Sequence, residues 1–76
     1  MTEQEQIELV RQNGFSIRDI RKPSQTVQLA AIKNNVDAIQ YIENPSPEVC
    51  LAAIRQDPKS IKWIKNPTME MRLLAS

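Results

Sequence analysis

The stretch Gln25–Ser46, QTVQLAAIKNNVDAIQYIENPS, runs straight into Pro47–Thr68, PEVCLAAIRQDPKSIKWIKNPT, and the two align over 22 residues without a gap. The same register reaches back to Glu3–Ser24, EQEQIELVRQNGFSIRDIRKPS, and forward into the partial Met69–Ser76, MEMRLLAS. Five columns of this alignment are apolar. Ile7, Leu29, Leu51 and Leu73 share one, Val10, Ile32 and Ile54 another, and Leu9, Ala31, Ala53 and Ala75 a third. Ile17, Ile39 and Ile61, then Ile20, Ile42 and Ile64, complete the set. A fixed period of this length marks a repeat architecture, in which each unit is too short to bury its own apolar side and must lie against its neighbours.

Start and stop signals recur with the period. Ser24, Ser46 and Thr68 each precede a helix-forming run, where a hydroxyl can accept from the first free N–H groups, and Pro47 stands where its missing donor costs nothing. First helices are therefore expected at about 25–34, 47–56 and 69–75. In the opening unit Gly14 is expected to supply the left-handed residue that closes the helix. Asp57-Pro58 predicts a second, shorter helix at about 58–64, of 3₁₀ character. Lys22-Pro23, Asn44-Pro45 and Asn66-Pro67 should break the chain, because the residue before proline is driven out of the α region. The expected fold is all-α: one domain over 1–76, a short α-solenoid of units 3–24, 25–46 and 47–68 with a partial fourth at 69–76. Alanine pairs, Ala30-Ala31 and Ala52-Ala53, suit close approach of helices in adjacent units.

The columns NPS-x-E-V-x-L-A-A-I-K/R-x-N and A-I-x-Y-I resemble a helical repeat family of unknown function, found in arrays in bacterial, phage and giant-virus proteins. They are also similar to the leucine-rich repeat variant, whose units pair an α-helix with a 3₁₀ helix. The resemblance spans residues 25–68 and, more weakly, 3–24. It implies a helical solenoid and a phage or mobile-element origin, and carries over no catalytic residue.

Composition narrows the function classes. Ten Lys and Arg against nine Asp and Glu give a formal charge of +1, so no global field calls for a nucleic acid. The acidic, polar start and the lack of about 18 consecutive apolar residues argue for a cytoplasmic protein with no membrane partner. With no His, one Cys and one Gly, the chain lacks the means for nucleophilic catalysis, a phosphate-cradling loop or a metal cage. No enzyme and no cofactor are expected. Glu3, Glu5 and Glu8 read as acidic groups favouring the start of the first helix. Cys50 shares a column with Gln6, Gln28 and Arg72, which predicts a partly exposed, inert thiol.

Three surfaces remain. Asp19, Tyr41 and Trp63 share a column, and the aspartate argues against deep burial there. With Lys62 and Lys65, Tyr41 and Trp63 form the expected partner-binding surface, since rigid aromatics with a polar tip anchor interfaces. Met69, Met71, Leu73 and Leu74, in the half-written last unit, are expected to leave apolar surface for an oligomer interface: a homodimer, with a different protein or a longer array as the alternatives. Arg11, Lys33 and Arg55 form a basic column. If it met the aromatics on one concave face, the surface would suit phosphate contacts and base stacking, the alternative nucleic-acid reading. The favoured expectation is a non-enzymatic protein-binding module, a small phage-type protein that inhibits or redirects a host protein.

Overall fold

Four hydroxyl side chains start four α-helices. In the computed structural model, which describes all 76 residues, the side chains of Thr2, Ser24, Ser46 and Thr68 accept from the N–H groups of Glu5, Val27, Val49 and Met71. The helices they open are α1 (Glu3–Gln12), α2 (Gln25–Asn34), α3 (Pro47–Gln56) and α4 (Met69–Ala75). Between them lie three 3₁₀ helices, η1 (Gly14–Asp19), η2 (Val36–Tyr41) and η3 (Pro58–Trp63), and no strand forms. At α1 the cap is reciprocal: Glu5 Oε1 accepts from the Thr2 N–H at 2.9 Å. That bond, with help from the Thr2 hydroxyl, holds the Glu5 carboxyl below its ordinary value.

Asn13, Asn35 and Asp57 each do two jobs. Their backbones turn extended, with φ near −150°, which ends the α-helix, and their side chains accept from the N–H two residues on, which starts the 3₁₀ helix. Gly14 is therefore not the left-handed closing residue that the sequence suggests; no glycine has positive φ. It is glycine for want of space. A Cβ there would stand 2.5 Å from the Ala31 carbonyl oxygen, while the Gly14 N–H donates to Asn34 Oδ1 at 2.7 Å. Asn34 completes the tie by donating from Nδ2 to the Arg11 carbonyl at 2.8 Å. In the next unit Gln56, in the same column, makes a single tie, donating to the Ile32 carbonyl at 2.9 Å.

The left-handed residues are the three before proline: Lys22, Asn44 and Asn66, with φ of 52°, 54° and 54°. The chain breaks where Pro23, Pro45 and Pro67 predict, but by a left-handed kink rather than an extended one. Asparagine tolerates this region and lysine does so less readily.

Contacts run from each element to others in its own unit or the adjoining one: α1 with α2, α2 with α3, α3 with α4, and η1 with η2, η2 with η3. The molecule measures 37 × 18 × 15 Å. Its core follows the long axis, with Val10, Ile17, Val27, Ala31, Ile32, Ile39, Val49, Ala53 and Ile54 all buried. Val27 and Val49 form a core column with Glu5 and Met71 at its two ends. Met71 is only 4% exposed, so it is core and not part of an exposed oligomer surface. The third residue is buried in α2, α3 and α4 alike, as Val27, Val49 and Met71.

Candidate interaction face

The 3₁₀ helices and the kinks that follow them carry two grooves, equivalent in sequence and one unit apart. Units 25–46 and 47–68 bound the larger-walled one, a concavity of about 520 Å³. Ile39, Ile42, Ile64 and Cys50 line its apolar parts, Tyr41 and Trp63 its aromatic parts, and Glu43, Asn44, Lys65 and Asn66 its polar rim. Units 3–24 and 25–46 bound the other, of about 640 Å³, lined by Ile17, Ile20, Arg18, Arg21, Lys22, Gln28 and again Tyr41, Glu43 and Asn44. Tyr41, Glu43 and Asn44 thus form a shared wall.

How the aromatics come to lie there follows from local packing. Each is the last residue of a 3₁₀ helix, where the chain turns away into the kink that follows. Tyr41 is 41% exposed and Trp63 39%. Tyr41 sets its ring edge against Phe15 of the preceding unit, with centroids 5.5 Å apart and planes at 86°. Its packing over the neighbouring short helix is therefore real, and its remaining surface faces the grooves. Each ring also carries a cation: Arg18 lies 5.9 Å from the Tyr41 centroid and Lys62 5.2 Å from that of Trp63, within cation–π range.

The four residues expected to form a partner surface, Tyr41, Trp63, Lys62 and Lys65, are brought together here. Column reading missed Phe15, whose column continues as Asp37 and Lys59 and shows no apolar pattern. It also misplaced Cys50, which is 3% exposed rather than partly open. The physical reason is a shared geometry. This position lies over the turn before its own helix: Gln28 donates to the Pro23 carbonyl at 2.9 Å, and the Cys50 thiol reaches towards the Pro45 carbonyl at 3.9 Å. The turn covers the short Cys50 side chain, while the longer Gln28 stays partly exposed even as its amide bonds to the turn. Burial raises the Cys50 thiol above its ordinary value.

The basic column does not meet the aromatics. Arg11 and Lys33 line a concavity of about 400 Å³ with Ala30 and Asn34, and Arg55 lines another with Met69, Glu70, Leu73 and Leu74. Arg11 is also paired with Glu8 at 3.5 Å. All three cations belong to α-helices, and none lines either aromatic groove. Of the proposed terminal patch, Met69, Leu73 and Leu74 are exposed, unlike Met71.

No family model, curated protein or solved structure matches the chain. No helix is long and apolar enough to cross a membrane.

Proposed function

We propose that the chain is a non-enzymatic protein-binding module, a short α-solenoid of 22-residue units whose 3₁₀ side is the docking face. One observation carries the reading. The sole Tyr and sole Trp of the chain, both about two-fifths exposed, converge on one concavity and present a lysine at its rim. Exposed rigid aromatics beside apolar floor residues are the usual anchors of protein interfaces, because they bring large contact area at small cost in side-chain entropy. The nearest-neighbour contacts and recurrent caps support the solenoid. The resemblance to phage and bacterial repeat arrays agrees with a phage-type protein that inhibits or redirects a host protein.

The nucleic-acid alternative required the Arg11, Lys33 and Arg55 column to share a face with the aromatics, and these cations line other concavities. A comparison of wild type with Trp63→Ala tests the docking reading. Capture of a host protein from lysate should be lost on substitution while circular dichroism stays helical. Undiminished capture, or a Trp63→Ala chain that no longer folds, would sink it.

A further inference from the structure

Along the docking face the three units differ in one column of charge. Arg21, Glu43 and Lys65 occupy equivalent positions, and each lines one or both grooves: Arg21 the first, Lys65 the second, Glu43 their shared wall. Read along the molecule, the rim is positive, negative, positive. Lys22 reinforces the first charge. The cations over the rings, Arg18 and Lys62, follow the same order around the uncharged Gln40. Asp19, at the head of the aromatic column, lines neither groove.

Spacing decides what such a pattern can read. Packed helices stand about 8–10 Å apart, which gives the expected step between equivalent positions of adjoining units such as Arg21, Glu43 and Lys65. A peptide in the polyproline II conformation rises about 3.1 Å per residue with three residues per turn, so one step corresponds to roughly three residues of a bound peptide, and residues three apart share the side turned to the groove. Between the charges the floor is apolar, with Ile17 and Ile20 in one groove and Ile39, Ile42 and Ile64 in the other.

We propose that this face binds an extended peptide segment of another protein, laid along the long axis, whose side chains run acidic, basic, acidic at every third residue. The acidic groups meet Arg21 with Lys22 and Lys65, the basic group meets Glu43, and apolar residues between them lie against Tyr41 and Trp63. This rests on the docking reading and adds the partner's chemistry. Single-stranded nucleic acid fits less well: every unit of it is negative, so its middle would face the Glu43 carboxylate.

Trp63, the only tryptophan, lines the groove and reports occupancy through its own emission. The probes are three synthetic peptides without tryptophan: one with Asp, Lys and Asp at every third position, a shuffled one with the Lys moved to the end, and one with three Asp. A ten-nucleotide oligo-dT is the fourth. The matched peptide should give a saturable change in emission and bind about fivefold tighter than the shuffled one at low salt, with the gap shrinking as salt rises. Glu43→Lys, a change at an exposed position, should reverse the order and favour the triple-Asp peptide. Lys33→Glu, at a position that lines neither groove, should change nothing. Equal binding of matched and shuffled peptides would overturn the charge pattern while leaving the groove as a docking site. Tighter binding of oligo-dT, no saturable change with any peptide, or an unchanged preference in Glu43→Lys would overturn it too. Loss of host-protein capture in Trp63→Ala remains a separate result, so failure of the pattern and failure of the docking reading can be told apart.

Discussion

Units 25–46 and 47–68 are the two best-matched copies in the chain, yet the same columns have different fates in them. Ile39 is 2% exposed and Ile42 is also buried, whereas Ile61 and Ile64 are only half-buried. The difference lies in the neighbours. η2 packs between η1 and η3, while η3 has η2 on one side and only α4 beyond it. Burial is thus set by which elements pack against a position as much as by residue type. In the aromatic column residue type makes the difference instead: Tyr41 has Phe15 to lean on, and Trp63 has no equivalent ring, because Asp37 occupies that column.

The largest test of this comparison is a matched pair of truncations. Ile39→Ala should cost about 3–4 kcal/mol and Ile61→Ala roughly half as much, since the cost scales with the burial lost and the cavity left. Denaturant titration followed by circular dichroism measures both. Equal costs would mean that η3 is as well supported as η2, and would break the account. In a chain this small, the first substitution should come close to unfolding it.

A second pair is smaller and opposite in sign. Ser60 is 1% exposed and its hydroxyl has no hydrogen-bond partner, whereas Ala38 occupies the same place in the unit before. Ser60→Ala should therefore raise the unfolding free energy by about 1 kcal/mol, and Ala38→Ser should lower it by a similar amount. A loss of stability in Ser60→Ala would show that the hydroxyl has a partner after all, and the two units would differ in more than their neighbours.

The smallest expected effect concerns the opening unit. Lys22 holds the left-handed conformation that Asn44 and Asn66 hold in the later ones. Lys22→Asn should raise the melting temperature by the equivalent of a few tenths of a kcal/mol, up to about 1, by easing that conformation. No change would indicate that the lysine sits there without strain.

Much of the fold was legible because its causes are local. Ser24, Ser46 and Thr68 start helices through their own hydroxyls, the Asn-Pro pairs end units, and Asp57-Pro58 opens a short helix that runs to Trp63, one residue before the expected end. These are interactions within three or four residues, and sequence spacing specifies them. Glycine misled for the opposite reason. Gly14 resembles a helix terminator by position, but its requirement comes from the Ala31 carbonyl, seventeen residues away.

The site divides in the same way. By itself the sequence determined the 22-residue period, the bounds of α2, α3 and α4, the placing of Tyr41 and Trp63 in one column, and in another a charge that changes from Arg21 to Glu43 to Lys65. Only the tertiary structure decided that these columns face a pair of grooves, that Cys50 and Met71 turn inward, and that Arg11, Lys33 and Arg55 line other surfaces. The physical reason is that a repeat fixes equivalence between positions along the chain, whereas which equivalent positions are covered depends on how neighbouring units close upon one another.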